Sequence, residues 1–268
     1  MSEHAIKSSS NYSAVGTARG VDLAPEIISL PGSASKPSWS ERIQDYLGEF
    51  VYGGIDGAVT TFAIVAGSVG ADLSSAIIVI LGFANLLADG FSMSIGAYLA
   101  AESEQQNYDK HRKLKARQIE QHPELERKKV AAIYREKGFS GVLLHQTVDK
   151  VTARKDLWLD ELMKNELDLI EDKRSSLMIG GMTYVSFILL GFIPIVVYLM
   201  DYLLGGLEIP LFLSAALLTS LSFVLIGWMK ASINETSIRK GILETISLGI
   251  LAAGVAYWIG DLLEKIIH

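Results

Sequence analysis

The sequence predicts an all-α, polytopic membrane protein with five transmembrane helices and a cytoplasmic three-helix insert between spans two and three. Three observations carry that expectation: where the apolar residues lie, how long their runs are, and where the basic residues fall. Half of the 268 residues are hydrophobic, yet a fifth are charged. Apolar runs fill roughly 48–101 and 177–262, while about half of the charged residues sit between them, at 102–175. A single water-soluble core mixes these classes along the chain; a membrane unit with one polar insert separates them.

Taken in order, residues 1–37 are rich in Ser, Gly, Ala and Pro and read as a disordered tail. Their start lacks the basic and apolar segments of a secretory signal. Residues 38–49 form an interfacial amphipathic helix: Ser38 caps it with Glu41 three residues on, and Trp39, Ile43, Tyr46, Leu47 and Phe50 make one apolar stripe. An amphipathic helix packed on protein gives the same stripe. Spans one and two occupy 50–101, as 50–70 and 75–101; the insert is 102–175; spans three to five lie within 176–268, as 177–200, 209–230 and 240–262. Each span offers about the 20 residues that a hydrocarbon layer of about 30 Å requires. Span one is the least apolar, because it holds Gly53, Gly54, Asp56 and Gly57. Pro194 predicts a kink in span three. The pairs Gly53/Gly57, Gly90/Ser94 and Gly249/Ala253 either let helices approach closely or are small residues that membrane helices tolerate.

Basic residues set the orientation. The connections at 71–74 and 201–208 hold no Lys or Arg, whereas the one between spans four and five holds Lys230, Arg239 and Lys240. The insert begins with Lys110, Arg112, Lys113, Lys115 and Arg117. The N-terminus and the insert are therefore expected in the cytoplasm and the C-terminus on the far side. Within the insert, helices are predicted near 102–121, 124–137 and 148–172, the first continuing span two because no Gly or Pro separates Ala97 from Gln121.

Several functions are excluded. The chain has no cysteine, so thiolate metal sites and thiol nucleophiles are absent, and a net charge of −6 gives no case for nucleic acid. No nucleophile or cofactor signature marks an enzyme. A di-iron oxidase needs paired Glu-x-x-His motifs, and the insert has none.

The polar residues inside the spans are the candidate site. Asp56 and Thr60 share one face of span one; Asn85, Asp89, Ser92 and Met93, at spacings of four, three and one, share one face of span two. Carboxylate and amide oxygens with one thioether suit Fe²⁺ or Mn²⁺, and carboxylates take up protons when a metal leaves. The same groups can instead form hydrogen bonds between helices, with Met93 as apolar filling. In the insert the candidate metal ligands are Glu120, Glu124, Glu126, Met163 and Glu166, although charged runs on soluble helices are usually solvated faces.

The string Asp56-Gly-Ala-Val-Thr-Thr-Phe-Ala-Ile-Val-Ala-Gly67, then Gly90-Phe-Ser-Met93-Ser-Ile-Gly-Ala-Tyr-Leu-Ala-Ala-Glu-Ser-Glu104, and Trp158-Leu-Asp-Glu-Leu-Met-Lys-Asn-Glu166-Leu resemble the vacuolar iron transporter family. The resemblance covers most of 40–262. It implies a homodimer of five-span subunits that moves ferrous iron, and often manganese, out of the cytosol in exchange for protons, with the ion path at the subunit interface. The family's first-span aspartate falls on Asp56 and its methionine on Met93, but its second-span glutamate falls on Asn85, so one carboxylate is missing; Asp89, one turn on along the same face, is the candidate to compensate. The family's cytoplasmic glutamate cluster falls partly on Lys115, Gln118 and Lys129, with Glu126 and Glu166 retained, and its methionine falls on Leu162, beside Met163.

The resulting expectation is a proton-coupled exporter of ferrous iron, with manganese as a second cargo, that holds no cofactor and has metal ions, protons, the bilayer and a second copy as partners. The alternative is a membrane-anchored metal sensor or interaction protein that transports nothing. A bacterial inner membrane is favoured over a vacuolar one.

Overall fold

The computed structural model describes residues 44–267, which form helices and connections with no strand among them. The expected tail and the first part of the interfacial helix, up to residue 43, lie outside the described residues. The first apolar run forms α1 (Leu47–Gly70), and a short turn reverses the chain into α2 (Ser75–Gln121). At 1.5 Å per residue, the 47 residues of α2 extend about 70 Å, more than twice a hydrocarbon layer. Its distal half therefore continues into the insert, as the unbroken sequence predicts. His122 ends it, and Pro123 opens α3 (Pro123–Glu136), where its missing N–H costs no hydrogen bond.

The rest of the insert departs from expectation. In place of one helix over 148–172 there are two, α4 (Gly141–Thr152) and α5 (Lys155–Asn165), and the chain from 166 to 175 is irregular. Packing explains the break. Leu144 and Val148 form the buried face of α4, while Trp158, Leu159, Leu162 and Met163 form that of α5. Both faces meet one cluster with Ile119 of α2 and Val130 of α3, and one straight rod cannot turn both onto it. The insert is thus three short helices laid against the end of α2.

Span three is α6 (Ser176–Gly191) followed by α7 (Ile193–Leu204), bent by 49° at Phe192. Pro194, in the first turn of α7, supplies no N–H to bridge the break, so the predicted kink is present. The last spans are α8 (Leu211–Ile233) and α9 (Ile238–Ile267). Four helices are long and apolar enough to cross a membrane, five when the bent pair is taken as one span.

Helix α1 sits at the centre, packed on α9, α6, α8 and α2. It approaches two neighbours backbone to backbone. A Cβ on Gly57 would overlap the main chain of Phe187 in α6, and one on Gly70 would overlap Tyr257 in α9. All three small-residue pairs lie at helix contacts: Gly249 meets the Phe223 ring, and Ser94 Oγ donates to the carbonyl of Gly180 at 2.8 Å. Gly57→Ala is expected to destabilise the chain by about 1–3 kcal/mol through overpacking, whereas Gly181→Ala, with nothing within 4 Å of its added methyl, should be neutral. Thermal unfolding in detergent compares them; equal melting temperatures would contradict this packing.

Candidate functional site

The site begins with the turn between α1 and α2. Two antiparallel helices joined by a short turn bring residues equally far from it to the same level. Thr61 and Asn85 each lie twelve residues from Leu73, and Asn85 Nδ2 donates to Thr61 Oγ1 at 3.5 Å. Thr61 is fully buried. The i,i+4 spacing from Asp56 picked Thr60 instead; the distance from the turn was the signal that identifies Thr61. Thr60 Oγ1 donates to the backbone carbonyl of Asp56 at 2.8 Å, so its hydroxyl is engaged within its own helix.

By the same rule Asp56 and Asp89, seventeen and sixteen residues from Leu73, come nearly level. Asp56 and Asn85 are half-buried, and Asp89 is exposed on the outer side of α2. Met93 is half-buried too, packed against the cluster of Leu86, Phe187 and Ile195. Asn85 thus meets α1 at Thr61, Asp56 and Asp89 stand at nearly one level, and Met93 packs nearby against α6. No ion pair among the described residues involves Asp56 or Asp89. A half-buried and an exposed carboxylate at membrane depth, without a cation of their own, attract one from outside.

The insert treats its carboxylates differently. Lys115 Nζ lies 2.8 Å from Glu166 Oε2 and 3.5 Å from Glu126 Oε2; Lys129 Nζ lies 2.8 Å from Glu126 Oε1 and 2.9 Å from Glu166 Oε1. Each carboxylate gives one oxygen to each ammonium, closing a four-membered ring of alternating charge. Lys115 is 4% exposed and Glu126 1%. The hydrogen bond that Lys129 donates to Glu126, then that to Glu166, holds its ammonium above the ordinary lysine range against the opposing effect of burial. Burial opposes ionisation of Glu166, but the hydrogen bonds from Lys115 and Lys129 outweigh it and hold the carboxyl below the usual glutamate range.

The other expected ligands in the insert lie apart from this ring. Glu120 is exposed and pairs with Lys155; Glu124 is exposed at the start of α3; Met163 is 1% exposed inside the apolar cluster. Among the described residues no three His, Asp or Glu side chains converge as a metal site. The chain leaving the insert is tied down where it meets the spans. Arg174 Nη1 donates to Glu49 Oε1 at 2.7 Å and Nη2 to Asp172 Oδ2 at 2.9 Å, while Gln105 Nε2 donates to the Arg174 carbonyl at 2.6 Å. Between α2 and this segment lies a cavity of about 790 Å³, lined by Glu104, Asp109, Glu171 and Asp172 among others.

Comparison with known proteins bears on this arrangement. The VIT family model matches residues 47–261. A vacuolar iron transporter of Toxoplasma gondii is 31% identical over 238 residues, which cover 87% of this chain and 79% of that protein. Vacuolar iron transporter 1 of Arabidopsis thaliana is 28% identical over 217 residues, covering 81% of this chain and 85% of its own. The vacuolar iron transporter of Plasmodium falciparum is 27% identical over 228 residues, covering 83% and 84%. These relatives are eukaryotic and vacuolar by name, so they lend the inner-membrane expectation no support.

Two predictions concern the ring. Lys115→Ala strips a cation from a buried carboxylate and should cost about 3–5 kcal/mol, whereas Lys155→Ala breaks an exposed pair and should leave stability nearly unchanged. Protection of α3 and α5 amides from hydrogen exchange reports both. Because the Glu166 carboxyl is depressed, its stabilisation is present above the ordinary glutamate value of 4.5 and is lost as pH falls through and below it. Lys129, shifted up, stabilises below the ordinary 10.5 and fails only at higher pH. The insert should therefore hold the same amide protection across neutral pH and lose it in acid; loss between pH 6 and 8 would contradict the ring.

Proposed function

Since the chain belongs to the VIT family, we propose that it exports ferrous iron, with manganese as a second cargo, from the cytosol across its membrane in exchange for protons. One observation carries this reading: the seam of Asp56, Asn85 and Asp89 between α1 and α2, with Met93 at its edge and no basic partner among the described residues. Oxygen donors with one thioether suit a borderline divalent ion better than Mg²⁺ or Ca²⁺. A metal ion neutralises the two carboxylates on arrival, and protons replace it as it leaves, so neither half of the cycle strands bare charge in hydrocarbon. Thr60, its hydroxyl turned to the Asp56 carbonyl, shapes the wall without acting as a ligand.

The seam also supports a homodimer. Asp89 and Ser92 are exposed on α2 beside Ala84, Ala88 and Gly96. A charged side chain facing lipid at mid-depth costs about 2.5–3.5 kcal/mol or more, and a second copy lying on this face would remove that cost while its small residues permit close approach. The basic residues favour a cytoplasmic insert and a route from the cytosol outward.

Metal flux into proteoliposomes, with and without an imposed pH gradient, tests the reading. The gradient should accelerate flux in the wild type. Asp56→Asn should reduce it at least by the roughly 10–100-fold that loss of a ligand's supporting group costs elsewhere; undiminished flux would refute the path. Asp89→Asn should also lose transport if Asp89 supplies the carboxylate that Asn85 lacks, and wild-type flux from that variant would leave Asp56 as the only essential acid.

A further inference from the structure

The resemblance to iron transporters places metal ligands in the insert, and Glu126 and Glu166 are the retained members of that set. The residues around them do not fit a metal. We propose that Lys115 and Lys129 are built-in counter-ions that stand where a divalent cation would be needed, so that the insert is complete without metal and its two glutamates are not ligands.

Charge and space both lead there. Two facing carboxylates, one of them buried, are balanced by two positive charges, which one divalent ion or two ammonium groups provide. Here the ammonium groups are already in place, and between them they contact all four carboxylate oxygens at 2.8–3.5 Å. A metal ion binding to those oxygens would have to expel both lysines. Lys115 comes from the interior of α2 and is 4% exposed. Buried as it is, it would remain as an unpaired cation beside the incoming one. Lys129 is one turn along α3 from Glu126 and is only partly covered, so it alone has room to move. Nor does the thioether offer help: Met163 is sealed among Ile119, Val130 and Leu162 in the apolar cluster. The ring joins α2, α3 and the end of α5, which is what a structural metal would do. The ring therefore holds these helices together without metal, and Glu126 and Glu166 bind none.

The test uses the full-length protein and Mn²⁺. Equilibrium dialysis at neutral pH counts bound Mn²⁺ per chain in the wild type and in Glu126→Gln/Glu166→Gln. The seam contributes equally to both, so the proposal predicts the same count; the loss of one Mn²⁺ per chain in the variant overturns it. Should that variant not fold, reductive methylation of the wild type, read by mass spectrometry, decides. Lys115 should stay unmodified while exposed Lys113 reacts, with or without Mn²⁺. Mn²⁺-dependent modification of Lys115 would mean that metal displaces it, which overturns the proposal. Neither readout uses transport, so failure of the path through Asp56 and failure of this inference are told apart.

Discussion

A carboxylate placed in a hydrocarbon layer forces the helix that carries it to the middle of the bundle, and that constraint organises this protein. Asp56 makes α1 a poor lipid-facing helix, and the glycines beside it remove the side chains that would hold neighbours away. Gly53 and Gly57 admit the backbone of α6 on one side, and Gly70 admits α9 at the far end. The same residues that make this span the least apolar make it the most enclosed. The side toward α2 carries the polar residues: there Asn85 reaches Thr61 and Asp89 comes level with Asp56.

The chain meets the problem of buried acid in two ways. In the insert, lysines supplied by α2 and α3 neutralise Glu126 and Glu166 permanently, and the ring is a fixed part of the structure. In the membrane seam no basic group among the described residues pairs with the acids, so neutrality has to come from something that enters and leaves. A transporter needs the second arrangement along its path and gains rigidity from the first beside it. The ties from Arg174 to Glu49 and from Gln105 to the Arg174 carbonyl hold the end of the insert against α1 and the distal half of α2.

Much of this was legible in the sequence, and the failures have physical causes. The spans follow from apolar run length, the continuous α2 from the absence of Gly or Pro between Ala97 and Gln121, and the bend at Phe192 from Pro194. Helical spacing put Asn85, Asp89 and Met93 on one face but could not say which threonine of α1 lay opposite, because that depends on the turn, not on either helix alone. The helix expected over 148–172 failed because local propensity does not record that two short apolar faces must converge on one core. Met163 has a ligand's sulfur and a core residue's burial, and sequence shows only the first. The resemblance put Lys115, Lys129, Glu126 and Glu166 on one cluster, but their closure into an ion-pair ring depends on how α2, α3 and α5 pack and was not legible.

The natural absence of cysteine permits the most direct test of the seam as a water-accessible cation path. Single cysteines at Asp56, Asn85, Asp89 and Met93, and at Leu217 on the exposed face of α8 as a reference, would be exposed to a membrane-impermeant thiol reagent with and without Mn²⁺. If metal travels between α1 and α2, the seam positions react and Mn²⁺ slows those whose neighbouring ligands remain, while Leu217→Cys stays inert throughout. Seam cysteines as unreactive as Leu217→Cys would contradict the account.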